Sequence, residues 1–128
     1  MVIDTSALLA VLFDEPERDQ FVRAIAAARQ RCISAGTLVE ATILAESRRG
    51  DAAGRELDLF LYRAGIKVVP VSEEQALLAR QAWRRYGKGR HPAGLNYGDL
   101  FSYSLAKADG DALLFKGDDF ARTDITAA

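Results

Sequence analysis

One cysteine, Cys32, and one histidine, His91, are the only thiol and imidazole ligands in a chain of 128 residues. An intramolecular disulfide and a cysteine-built zinc site are excluded, and no serine or cysteine has an evident histidine partner for nucleophilic catalysis. The lone thiol fits a reducing compartment, and its neighbour Ile33 suggests that Cys32 is a small core residue. Charge of one sign is also missing. With 17 Lys and Arg against 18 Asp and Glu, no global basic field advertises a polyanionic partner, although a local cluster still can. No apolar run is long enough to span a membrane. A secretory leader needs a basic start and a longer apolar stretch than Ala7 to Phe13, and Asp4 interrupts the only candidate. A cytoplasmic protein without a membrane partner is expected. The glycines between Gly87 and Gly94 lack the spacing, and the following Lys-Ser or Lys-Thr pair, of a phosphate-binding loop. There is no repeat, low-complexity tract or linker.

What is present suits a single domain over residues 1–128 with one core. Val2 and Ile3 read as a short buried strand, followed by the apolar segment Ala7 to Leu12. Asp14 as a cap, Pro16 in the first turn and Glu17 predict a helix start, and Phe21, Ile25 and Ala28 give that helix one buried stripe. Arg31 to Ser34 reads as a strand. A helix carrying Leu38, Val39, Ala41, Ile43, Leu44 and Ala45 closes on Arg48, Arg49 and Gly50. Leu57, Phe60, Leu61 and Ala64 place a further helix over Asp51 to Ala64, which Gly65 stops. Ile66 to Val71 is a strand, interrupted by Pro70 near its end. Ser72 with Gln75 predicts a capping box for a helix running to Tyr86. Tyr97 to Ala108 is apolar on nearly all sides and belongs in the interior. Ala112 to Phe115 is a strand, and Thr123 to Thr126 is the last strand candidate. Strands alternating with helices predict an α/β fold with a central, mainly parallel sheet flanked by helices.

Acidic residues then stand where an open parallel sheet binds ligands, at the carboxyl ends of its strands. Asp4 follows the first strand, Glu40 lies within an apolar helix, Asp99 opens the interior helix, and Asp118 and Asp119 follow the last long strand. Each has a plain structural reading. Glu40 can pair with an arginine, Asp99 can cap its helix, Asp4 can form a turn, and either tandem aspartate can cap a short final helix. Ile43 and Leu44, three and four residues after Glu40, place that carboxylate on or beside a buried face, where an unpaired charge is costly. Four such coincidences at one sheet edge favour a shared metal ion. All-oxygen donors suit a hard cation, Mg²⁺ or Mn²⁺, acting on phosphate. Asp118, nearer the strand end, is expected to be the fourth acid, with Asp119 as its substitute. Ser6 beside Asp4 either bonds a carboxylate or metal-bound water or simply packs the turn, and Asn96 either orients Asp99, contacts the substrate or is a loop residue.

These residues are together similar to the PIN-domain family, and specifically to VapC-type toxins of bacterial toxin-antitoxin pairs. The likeness rests on Val2-Ile3-Asp4-Thr5-Ser6-Ala7, Glu40 in its helix, Leu95-Asn96-Tyr97-Gly98-Asp99 with Tyr103-Ser104-Leu105-Ala106, and Leu113 to Phe120 with Thr123-Asp124-Ile125. The resemblance implies a PIN-like three-layer sandwich and a Mg²⁺- or Mn²⁺-dependent endoribonuclease toxin. Asp4, Glu40 and Asp99 match the family's metal-binding acids. It also implies a homodimer, and inhibition within a hetero-oligomer by a VapB-type antitoxin whose C-terminal segment lies over the site.

Arg84, Arg85, Lys88, Arg90 and His91 form the densest basic cluster, suited to RNA phosphates or equally to a solvated helix end. A receiver-type phosphoacceptor domain is the alternative of a different class. It needs an acidic pair after the first strand, a phosphorylated aspartate ending a middle strand and a Lys-Pro step. Here Asp4 stands alone, the middle strand ends in Pro70 and Val71, and Lys116 precedes Gly117. A catalytically silent binding module would keep the fold and need no metal.

Overall fold

Short aliphatic runs build four strands in the computed structural model, which describes Met1–Ala128: β1 (Val2–Ile3), β2 (Cys32–Ser34), β3 (Lys67–Val69) and β4 (Leu113–Leu114). All neighbours are parallel and the order is β3-β2-β1-β4. The register sets Val2 beside both Cys32 and Leu113, and Ile3 beside Leu114. Alternation along each strand then divides the core. Ile3, Ile33 and Leu114 face one way, with residues of α1 (Thr5–Leu12), α2 (Arg18–Ala27), α3 (Ala35–Arg49) and α4 (Asp51–Arg63). Val2, Cys32, Leu113 and Val69 belong to the core on the other face, with α5 (Glu73–Tyr86) and α6 (Tyr97–Asp109). This is the expected three-layer α/β sandwich. Cys32 is half-buried against the second core, and no helix is long and apolar enough to cross a membrane.

Connectivity positions the site. The chain runs outward from β1 to β2 to β3, then returns across α5 and α6 to add β4 on the far side of β1. The order therefore reverses between β1 and β4, and open α/β sheets bind ligands in the crevice at such a reversal. Two bonds stitch those strand ends together: Asp4 N–H donates to Leu114 O at 2.9 Å, and Lys116 N–H to Ser6 Oγ at 2.9 Å.

Several local expectations are corrected. Asp14 does not cap α2; it has φ +55°, and the helix starts at Arg18 with no side-chain cap. Just past the end of α1, Asp14 sits in the left-handed region, where Asp is among the residues best tolerated. Ser72 does accept from Gln75 N–H at 3.1 Å, but the Gln75 side chain turns to Pro70 O, so the capping box is only half formed. Thr123 to Thr126 is not a strand: the segment follows the 3₁₀ turn Phe120–Arg122 and leaves one bridge, Leu113 to Ala127. Thr123 Oγ1 bonds locally, accepting from Ile125 N–H and donating to Phe120 O, which competes with a ladder.

Candidate active site

Asp4 leaves β1 and caps α1, a position that both buries and orients it. The residue is only 3% exposed. Oδ2 accepts from Ser6 N–H at 3.0 Å and from the Ser6 hydroxyl at 2.7 Å. Oδ1 is buried with no hydrogen-bond partner, an expensive arrangement for an anion's oxygen. Ser6 therefore bonds the carboxylate and the Lys116 backbone, just beyond β4, at once.

Asp99 is held by the start of α6. Asn96 caps that helix through Oδ1, which accepts from Asp99 N–H at 2.9 Å, and Asp99 Oδ2 accepts from Asn96 N–H at 2.9 Å. This reciprocal capping box fixes the carboxyl over the crevice. Burial above all raises its pKa from 3.8 to about 7; the charges on Asp4, Glu40 and Asp119 add to that, and the Asn96 N–H opposes it.

Glu40 comes in from α3. Its carboxylate lies so tightly against Gly98 that a β-carbon there would stand 1.5 Å from Oε2. Burial raises its pKa too, the Thr5 hydroxyl opposes, and the Asp4 charge adds. No arginine acts on Glu40, so the ion-pair reading of that residue fails. Its half-buried setting is as expected, but not for the expected reason, because Ile43 is 59% and Val39 58% exposed. The inward face of α3 consists of Thr37, Ala41 and Ala45 instead.

Of the tandem aspartates, both exposed, Asp119 is the one whose charge raises Asp99. Asp118 is not among the groups acting there. Asp119, the substitute for Asp118 in the expected set, thus acts on Asp99 from its place just after the turn at Gly117 (φ +94°) and just before the 3₁₀ turn.

The basic cluster does not form one patch. Arg85 lies 3.8 Å from Asp124 and stacks on Tyr86, in a network where Lys107 also bonds Asp124 at 3.0 Å and Tyr103 donates to it at 2.6 Å. His91 Nδ1 accepts from Ala93 N–H at 3.0 Å and its ring packs edge-on against Tyr86, so it organises the loop. Arg90 lies over Trp83, 4.2 Å from the ring centre. Arg84 and Lys88 are exposed and make no ion pair with an acid. Lys116 is taken by Glu15 and by Glu17 at 3.1 Å. Sequence reasoning missed Gly98, whose lack of a side chain admits Glu40, and Tyr97, 78% exposed beside Asp99. The Gly-Asp pair at a helix start was the available signal for the first.

Asp4, Glu40, Asp99 and Asp119 thus line one crevice with no cation of the chain's own among them. They do not close into a ready-made shell, since no three such side chains stand close enough to enclose an ion. The fit to a hard divalent cation lies in the donors themselves: oxygen only, one Asp4 oxygen without a partner, and a Glu40 and an Asp99 that burial and the neighbouring carboxylates both raise. Mg²⁺ needs no more, because it keeps several waters and uses one or two carboxylates.

The PIN-domain family model matches residues 1–125. A VapC ribonuclease of Mycobacterium bovis is 55% identical over 125 residues, 98% of this chain and 95% of that protein. In fold the chain resembles Mycobacterium tuberculosis VapC20, described as a sarcin-ricin loop cleaving toxin, with TM-score 0.80 at 18% identity over 99% of this chain and 97% of that one. It also resembles a chain of a toxin-antitoxin complex from Klebsiella pneumoniae, with TM-score 0.75 at 18% identity, covering 99% and 95% of the two chains.

Proposed function

The chain belongs to the PIN-domain family, and on that premise we propose that it is the toxin of a VapBC-type toxin-antitoxin pair, an endoribonuclease that hydrolyses RNA phosphodiester bonds with Mg²⁺ or Mn²⁺. The observation that carries this reading is a half-buried group of carboxylates at the β1–β4 reversal with no basic partner: Asp4, Glu40 and Asp99, with Asp119 at the rim. Structural ion pairs would place an arginine or lysine among them, and Lys116, whose backbone N–H bonds Ser6, has its ammonium bound by Glu15 and Glu17. When bound, a divalent cation supplies the Lewis acidity that activates water and neutralises charge developing on phosphate oxygens.

The chain's own residues prepare that chemistry. Ser6 fixes one oxygen of Asp4 and leaves the other facing the crevice. Asn96 fixes Asp99. Gly98 lets Glu40 reach in from α3. Asp119 adds a fourth, exposed carboxylate. Without a cation, burial above all, with the charges on Asp4, Glu40 and Asp119 adding to it, raises Asp99 to about 7.

A VapB-type antitoxin and a second copy of the chain are the protein partners of this reading. The groove between α3 and α6, lined by Val39, Ile43, Leu44 and Phe101 with Glu40 in its wall, offers apolar surface beside the acids for an antitoxin segment. The receiver alternative finds no support, because its lysine counterpart, Lys116, is engaged away from the acids.

The deciding experiment is cleavage of a cellular RNA pool by the purified chain with Mn²⁺, Mg²⁺ or EDTA, with end mapping of the products. Metal-dependent cuts that disappear in Asp4→Asn are expected, together with growth arrest on expression that a co-expressed antitoxin relieves. A folded, Mn²⁺-loaded chain that cuts no RNA and does not slow growth overturns the reading.

A further inference from the structure

β4 ends at Leu114, and the chain from Phe115 to Asp118 makes a single backbone hydrogen bond, from Lys116 N–H to Ser6 Oγ at 2.9 Å. The stretch is exposed from Lys116 to Asp119 and turns at Gly117 with φ +94°, a conformation open to glycine at an entropic cost. Asp119, whose charge acts on Asp99, stands at its end. Just beyond, Phe120 is buried and packs on Phe115 with ring centres 5.2 Å apart. Without side-chain help, this loop has one anchor in the core and one backbone bond.

The Lys116 ammonium adds a further anchor. It reaches the segment between α1 and α2 and is clamped there by Glu15 and by Glu17, the latter at 3.1 Å. Glu17 Oε2 is buried and accepts no hydrogen bond, so the ammonium is the charge that offsets it. A lone surface pair holds a side chain loosely, whereas three charges in one network hold it better. Lys116 thus bonds in two directions: its backbone to Ser6, which donates to Asp4 at 2.7 Å, and its side chain to the acidic pair. A contact to a substrate phosphate fits this residue less well, because the phosphate would have to take the ammonium from two carboxylates. Resting on the metal-dependent ribonuclease reading above, we infer that Lys116 is a positioning residue of the metal site: its ammonium, clamped between Glu15 and Glu17, fixes the loop from which Asp119 acts beside Asp99. The clamp sits immediately before the left-handed glycine, where the loop is otherwise freest.

The test measures Mn²⁺ binding to the full chain by calorimetry, with no RNA present. Lys116→Met keeps the aliphatic stem and removes the ammonium, and it should weaken Mn²⁺ about tenfold, the low end of the loss when a group that orients a ligand is removed. Lys116→Arg should restore binding. Glu15→Gln combined with Glu17→Gln opens the clamp from its other side and should reproduce the loss. Placed in Asp119→Asn, Lys116→Met should add almost nothing, because the carboxylate it positions is already gone. All three clamp residues are partly exposed, so the variants are expected to fold, and circular dichroism checks this. A tether that serves only the fold would lower urea stability and leave Mn²⁺ affinity unmoved, which overturns the inference. So does an undiminished further loss in the Asp119→Asn background. A raised KM for RNA with unchanged Mn²⁺ affinity also overturns it and makes Lys116 a phosphate contact. A chain that cleaves RNA while its Lys116→Met variant binds Mn²⁺ as wild type does loses only the positioning role. A chain that shows these Mn²⁺ losses and cleaves no RNA overturns the ribonuclease reading alone, and one that binds no Mn²⁺ overturns both.

Discussion

Asp99→Asn is expected to abolish cleavage and, in the metal-free chain, to stabilise the fold above pH 7. Burial and neighbouring carboxylates move Asp99 from 3.8 to about 7 in the folded state. Between those values the folded chain holds a proton that the unfolded chain has lost, so wild-type stability falls as pH rises from about 4 to about 7 and stays low above that. A displacement of about three pH units corresponds to at most about 4 kcal/mol at 1.36 kcal/mol each. The carboxylate is partly open to water, so about half of that, about 2 kcal/mol, is expected. Asparagine removes the charge and keeps the cap, because its amide oxygen can accept from Asn96 N–H where Asp99 now does at 2.9 Å. Urea unfolding in EDTA measures the effect. At pH 8 the variant should exceed wild type by about 2 kcal/mol, or about 6 °C in the midpoint of a parallel thermal melt. At pH 4 the two should nearly coincide. Added Mn²⁺ should raise wild type and leave the variant almost unmoved, since a cation that binds only the folded state stabilises in proportion to its occupancy. A variant no more stable than wild type at pH 8 would refute the claim that Asp99 is held under electrostatic tension, and retained cleavage would remove it from the site.

Gly98→Ala should cut cleavage by about a hundredfold with a stability loss of no more than about 1 kcal/mol: the clash is with the flexible end of Glu40, which can swing out of the crevice, but a displaced catalytic group is costly. Activity and urea unfolding, measured together, check this. Mn²⁺ titration of Asp118→Asn and Asp119→Asn should show the larger deficit, about 10- to 100-fold, in Asp119→Asn; the reverse order would restore Asp118 as the fourth acid.

Strands and most helices were legible because their apolar spacing was strong. What was hidden depended on direction rather than on type. On α3, long aliphatic residues suggested the core face, yet Val39 and Ile43 point outward and Thr37, Ala41 and Ala45 point in. Close packing explains this: Gly36 lies so near Phe101 that a β-carbon would stand 2.4 Å from the ring, and helices that approach so closely bury small residues. The basic run was likewise legible as charge but not as a surface, since Arg85 turns to Asp124 and His91 to its own loop. Adjacent aspartates after β4 posed the same problem in its hardest form, because they follow a left-handed glycine, Gly117, whose turn the spacing of apolar residues does not encode.

The structural readings of Asp99 and Asp4 hold, those of Glu40 and of the tandem aspartates do not, and the two that hold are compatible with a metal-binding role. Asp99 does cap α6, and Asp4 does turn the chain after β1. In each case the local bond uses one oxygen of the carboxylate: Asp99 Oδ2 on Asn96 N–H, and Asp4 Oδ2 on Ser6. The cap therefore aims the other oxygen, and in Asp4 that oxygen is left buried and without a partner. A helix start is well suited to this, because its free N–H groups bind a carboxylate firmly without neutralising it as an arginine would. Glu40 has no cap to hold it and is confined instead by the missing side chain of Gly98. Rigid placement of like charges, with no internal cation to relieve them, costs the unliganded fold stability that an ion pair would have returned. It leaves that relief to whatever cation arrives from solution, which is the property a metal-dependent nuclease requires.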